Sequence, residues 1–140
     1  MIRAVMDTNV LVAALRSQAG ASFALLQFWR QEKWKLVLSN TVVTEYEEIL
    51  RREASALYLP LEDVVKLLDA LCVLAERWTL PERPLPTLSD LDDEPLLHLA
   101  VEAGVRYLVT HNVRHLEPAR QLGIEVMTPA QFLTIIRKLI

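Results

Sequence analysis

The residues whose types could carry chemistry in this chain fall in four short stretches. These are Asp7 with Thr8 and Asn9, Ser39 with Glu45, the acidic run Asp90, Asp92, Asp93 and Glu94, and Thr110 with His111 and Asn112. Three of them stand where an apolar, strand-like run gives way to a helical pattern, and the acidic run opens a helix. In an open parallel α/β sheet such positions share one edge, because strand ends and helix N-termini converge there. Carboxylates gathered at that edge, with hydroxyls and an amide between them, would hold Mg²⁺ or Mn²⁺. Both cations favour oxygen ligands and retain waters that a phosphate can replace. The chemistry implied is hydrolysis of a phosphodiester by a water made acidic at a bound cation. Taken singly, the same groups have plainer roles: Asp7 as a turn or cap residue, and residues 90–94 as a solvated, acidic helix start that suits the positive end of the dipole.

The elements that must position these groups can be read along the chain. Residues 2–6 form a strand that breaks on Asp7, and Thr8 and Asn9 are expected to cap a helix carrying Val10, Leu11, Ala13 and Ala14. A break over 17–22 precedes a second helix over 22–32, with Ser22 as its cap and Phe23, Leu26, Phe28 and Trp29 as apolar contributors. The second strand, 35–38, runs into Ser39, Asn40 and Thr41, three candidate caps for a helix over 41–53. On that helix Val42, Val43, Tyr46, Ile49 and Leu50 share a side, flanked by Glu45 and Glu47. Periodicity does not choose between the two acids, although proximity to the helix start favours Glu45.

A helix over 61–76 is apolar nearly all round, which implies either a second face covered by a homodimer contact or other partner, or complete burial within the monomer. Pro81, Pro84 and Pro86 make residues 78–89 an extended connection with at most a short strand at its start. Pro95 enters the next helix and Gly104 closes it. A third clear strand covers 105–109, with Asn112 or Thr110 capping the turn beyond it, and His111 and His115 at the i, i+4 spacing that binds zinc when both rings face one way. Otherwise they are two exposed imidazoles. A last strand over 124–127 leads to Thr128 and Pro129 at the start of a terminal helix. Alternating strands and helices predict one domain over 1–140, a three-layer α/β/α sandwich with four or five parallel strands and right-handed crossovers.

Composition narrows the function classes. At 140 residues with 52% hydrophobic and 24% charged residues, the chain can bury one substantial core. No signal-peptide pattern opens the sequence, and the apolar stretch 64–75 is interrupted by Lys66 and Asp69, so a cytoplasmic protein with no membrane segment is expected. Cys72, the sole cysteine, allows no internal disulfide and, between Leu71 and Val73, reads as a buried, inert thiol. A net charge of −3 and a pI near 5.6 give no global basic footprint for nucleic acid. Acids that bind a divalent cation, however, make the formal charge more negative than what a phosphate meets. Of the 15 basic residues 11 are Arg, the better fork for phosphate. Arg16, Arg51, Arg52 and Arg114 fall near strand ends or on the helices that follow, and Arg114 is a candidate phosphate contact; most of the others are expected to be solvated charge.

In this order, Asp7-Thr-Asn-Val-Leu-Val, Ser39-Asn-Thr-Val-Val-Thr-Glu45, Asp90-Leu-Asp-Asp-Glu and Tyr107-Leu-Val-Thr-His-Asn112, the motifs resemble a PIN domain. The likeness runs over essentially the whole chain and is greatest to small single-domain prokaryotic members that include VapC-type toxins. The resemblance implies a nuclease acting on single-stranded RNA, sometimes DNA, through acidic metal ligands. Position by position it implies Asp7, Glu45 and Asp93 as the catalytic acids, which selects Glu45 over Glu47. Asp92 and Asp90 match accessory acids, and Thr110 matches the hydroxyl beside the site, with Asn9 and Ser39 as further polar neighbours. The fourth acid of many members falls on Asn112, an amide, so a second cation should bind more weakly unless Asp90 or Asp92 compensates. A toxin role would further imply an antitoxin partner covering the acidic cleft.

Two other readings belong to different classes. A haloacid-dehalogenase-like phosphatase also places an Asp after its first strand, but it requires a second Asp where this chain has Asn9, and the four lysines are poorly placed for its later strand end. A degenerate interaction module would follow if Asn112 marks the loss of a working site.

Overall fold

The computed structural model describes residues 1–80 and 95–140. Five parallel strands form one sheet: β1 (Arg3–Met6), β2 (Lys35–Ser39), β3 (Glu76–Trp78), β4 (Tyr107–Val109) and β5 (Glu125–Met127). Their order across the sheet is β3-β2-β1-β4-β5. Around them lie seven α-helices among the described residues: α1 (Thr8–Arg16), α2 (Ala21–Arg30), α3 (Asn40–Ala56), α4 (Leu61–Leu74), α5 (Pro95–Glu102), α6 (Val113–Leu116) and α7 (Pro129–Leu139). A 3₁₀ turn over Glu117–Leu122 follows α6. The architecture is the α/β/α sandwich expected from the alternation of patterns.

Strand composition explains why both sheet faces are covered. Successive side chains point to opposite faces, yet Ala4, Val5 and Met6 on β1 and Leu36, Val37 and Leu38 on β2 are all fully buried. Such continuous apolar runs belong to a parallel sheet sandwiched between helices. Trp34, just ahead of β2, is buried edge-on to Phe132 of α7 with 5.3 Å between ring centroids, and its indole N–H donates to the Leu25 carbonyl at 2.9 Å. One packed unit thus joins α2, β2 and α7.

Several local expectations are corrected. Asp7, not Thr8 or Asn9, is the α1 N-cap, and no side chain caps that helix. Gly20 precedes α2, which places Ser22 inside the helix, where its hydroxyl meets the His111 ring at 3.3 Å. β3 begins at Glu76, two residues before the extended stretch expected from residue 78 and inside the helix expected over 61–76, because Val37 to Ser39 pair with Glu76 to Trp78. Cys72 is exposed, as are Val65 and Val73, so α4 is not wholly buried within the monomer. Only Val64, Leu67 and Leu71 of α4 are buried, a single stripe at helical spacing. Other signals held: Ser39 accepts from the Val42 N–H, Thr128 and Gln131 form a reciprocal capping box, and Gly104 and Gly123 adopt positive φ.

An unanticipated clamp crosses the sheet. Arg3 on β1 reaches over β2 to Glu76 on β3 through a two-pronged hydrogen bond, with Nε 3.0 Å from Oε1. The Arg3 bond is the main reason the Glu76 carboxyl is held below its ordinary range.

Candidate active site

The strand order reverses direction once. From β1 the chain steps to β2 and β3, then crosses back to β4 on the other flank of β1 and continues to β5. In open parallel sheets ligands bind outside the strand ends at such a switch point. Here it lies between β1 and β4, whose last residues Met6 and Val109 are paired. The next residues along are Asp7 and Thr110. Their backbone N–H groups continue the ladder, Asp7 donating to the Val109 carbonyl and Thr110 to that of Met127, each at 2.9 Å.

Because the Asp7 side chain does not cap α1, it is held from the side. Its Oδ2 accepts from the Thr110 hydroxyl at 2.9 Å and from the Asn9 amide at 3.4 Å. Thr110 Oγ1 also accepts from the Asn9 amide at 3.3 Å and from the Asn112 backbone N–H at 3.0 Å. Asn9 Oδ1 in turn accepts from the His111 backbone N–H at 3.2 Å. The network ties the start of α1 to the end of β4 and fixes one carboxylate oxygen. Thr110 is fully buried, so its hydroxyl stays on these partners.

Glu45 approaches from α3. With Asp7, Thr8, Tyr46 and Leu96 it lines a cavity of about 10 Å³, roughly the space of one water. Tyr46 is buried beside it and donates its hydroxyl to the Met6 carbonyl, pinning α3 to the end of β1. Burial, reinforced by the carboxylates of Asp7 and Glu45, pushes the Tyr46 phenol well above its ordinary range, so it remains a neutral donor. Glu47 instead lies exposed and pairs with Arg51 one helical turn on, at 3.2 Å. Glu48 is exposed too.

A cleft of about 580 Å³ opens from Asp7 between α1 and α3. Asn9, Val12 and Arg16 line it from α1, and Ile49 and Glu53 from α3, with His111 near Asp7. Arg16 and Glu53 face each other at 3.6 Å. The sequence places Arg16 with Arg51, Arg52 and Arg114 near strand ends, where solvated charge is expected for most; its spacing from Asn9 and Val12, seven and four residues, is the signal that sets it on this wall. Arg114 is exposed and does not line this cleft.

The remaining expected site residues divide. Asp90, Asp92 and Asp93 lie outside the described residues. Ser39 is buried and committed to capping α3. Asn112 stands exposed at the start of α6, its backbone joined to Thr110. His111 and His115 are both exposed, and no cluster of three or more His, Cys, Asp or Glu suited to a metal occurs among the described residues. Asp7 and Glu45 are two such acids sharing one cavity, and their hard oxygen donors, with the Thr110 hydroxyl adjacent, fit Mg²⁺ or Mn²⁺.

A doubly covered parallel sheet with a held carboxylate at its switch point defines an α/β protein with its site at the strand ends. The family model for the PIN domain matches residues 3–114, and the chain belongs to that family. Its members are generally nucleases that use divalent metals. No curated protein matches the chain. Among the described residues no single helix is long and apolar enough to cross a membrane.

Proposed function

We propose that residues 1–140 form a single nuclease domain that hydrolyses phosphodiester bonds of single-stranded RNA with Mg²⁺ or Mn²⁺ as cofactor. Asp7, Glu45 and Asp93 are the catalytic acids that hold the cation, with Asp90, Asp92 and Asn112 as accessory ligands. The observation that carries this is the convergence of Asp7 and Glu45 on one cavity at the switch point, with Asp7 held by Thr110. When bound, the cation supplies a nucleophilic hydroxide at neutral pH and charge stabilisation for the leaving oxygen.

The chain's own residues set the stage for that chemistry. Thr110 and Asn9 orient the Asp7 carboxylate through Oδ2, and Asp7 together with Glu45 would hold the cation. Tyr46 holds α3 against β1, so Glu45 is delivered beside Asp7 without a loop between them. A cytoplasmic toxin role with an antitoxin over the cleft is the biological setting we favour. The exposed Val65, Cys72 and Val73 on α4 suit a homodimer contact.

The test is cleavage of labelled single-stranded RNA and DNA pools with Mg²⁺ or Mn²⁺ by the wild type, Asp7→Asn and Asp93→Asn. Metal-dependent cutting of RNA that both substitutions abolish is expected. Equal trace activity in all three proteins, together with no Mn²⁺ binding by the wild type, would overturn the nuclease and leave an interaction module, the outcome that Asn112 in place of a fourth acid would then explain.

A further inference from the structure

The cleft beside Asp7 is longer than the chemistry at Asp7 needs. On α1 its wall is Asn9, Val12, Ala13 and Arg16, an unbroken i, i+3, i+4, i+7 row on one helix face. On α3 it is Ile49 and Glu53, one turn apart and continuing the row of Glu45. From Asp7 to Arg16 the helix rises about 13.5 Å, more than one sugar-phosphate unit. None of Asn9, Val12, Ala13 and Ile49 is fully buried, so both walls keep accessible surface, although Val12 also packs against the core. Among the described residues, Arg16 is the only Lys or Arg on the cleft wall. Its side chain is 58% exposed and meets Glu53 at 3.6 Å, a loose ion pair beyond hydrogen-bonding distance.

Resting on the nuclease reading above, we infer that the α1/α3 groove is a substrate subsite: the nucleotide flanking the scissile phosphate lies along Val12, Ala13 and Ile49, and Arg16 clamps the next backbone phosphate. The chemistry fits a single strand. Half-exposed aliphatic walls receive an unstacked base face, whereas a duplex keeps its bases paired and stacked. The planar guanidinium at the far end matches a phosphate bidentately. Glu53, near Arg16 without a hydrogen bond, leaves the guanidinium able to turn to a bidentate phosphate contact. The groove also explains how a chain of net charge −3 meets a polyanion, since the attraction is local to one arginine at a fixed distance from the acids.

Binding of a fluorescent single-stranded RNA oligonucleotide, with chelator present to keep the strand intact, tests this directly. Arg16→Ala is expected to weaken binding roughly tenfold and to reduce the slope of log affinity against log salt by about 0.7, one phosphate contact on a single strand. Arg16→Lys should recover the salt slope but only part of the affinity, and Glu53→Gln should tighten binding. The affinity gained on lengthening the RNA from a dinucleotide should shrink in Arg16→Ala. Unchanged affinity and slope in an Arg16→Ala protein with wild-type circular dichroism would overturn the subsite, even if metal-dependent cleavage is intact. Conversely, Arg16-dependent binding without any cleavage would retain the subsite and overturn the nuclease. No binding of the oligonucleotide by the wild type would overturn the subsite outright.

Discussion

Thr110→Val probes whether the switch-point network sets the site. Valine keeps the β-branched shape at a fully buried position, so packing is little changed, but three hydrogen bonds go: the donor to Asp7 Oδ2 at 2.9 Å and the acceptor for the Asn9 amide and the Asn112 N–H at 3.3 and 3.0 Å. A bond to an ionised carboxylate is worth about 1.5–3 kcal/mol, and the two neutral ones lie near a cleft where water can replace them. A net cost of about 2 kcal/mol follows, which for 140 residues lowers Tm by about 7 °C. The second effect is on metal. With only the 3.4 Å contact from the Asn9 amide left on its Oδ2, Asp7 is less firmly oriented, and the loss of such an orienting partner typically weakens metal affinity by about 10- to 100-fold. Calorimetric titration of Mn²⁺ alongside a thermal melt reads both quantities, with Thr110→Ser, which restores the hydroxyl, recovering both. A Thr110→Val protein that melts and binds Mn²⁺ as the wild type does would refute the claim that Thr110 orients Asp7.

Two further outcomes follow from other contacts. Tyr46→Phe removes the donor to the buried Met6 carbonyl and should cost about 1–3 kcal/mol in urea unfolding, seen as a lower midpoint at unchanged m-value; an unchanged midpoint would show that the hydroxyl does not pin α3. Arg3 holds the Glu76 carboxyl below its unfolded-state pKa, so the stabilisation is complete above the ordinary carboxylate range and is lost as pH falls through the lowered folded-state value. Melting temperatures of wild type and Glu76→Gln should therefore differ at neutral pH and converge in acid, and a gap independent of pH would exclude the clamp.

Much of the fold was legible in the sequence because it depends on local rules. Apolar runs ending in polar residues mark β1, β2 and β4, the alternating Ile124-Glu125-Val126 after Gly123 marks β5, and Ser39, Thr128 and Gly104 mark helix ends through capping and positive φ. β3 was nearly invisible: Glu76, Arg77 and Trp78 carry no apolar run, and they are a strand because β2 offers them an edge. Ser22 failed as a cap for a related reason. Its hydroxyl is used across the fold, 89 residues away, by His111.

The order of acids along the chain, and so the family, is a property of the sequence alone. Spacing at strand ends and along helices also allows Asp7 and either Glu45 or Glu47 to face a common edge, since those periods are fixed by backbone geometry, and the family resemblance selects Glu45. Which strands lie side by side is not. Only the tertiary structure placed β1 against β4, making Thr110 the partner of Asp7 103 residues away, and set Arg16 opposite Glu53 at the end of a groove. Contacts between distant segments depend on which buried surfaces fit one another in the packed sandwich, and no local pattern of residues encodes that fit.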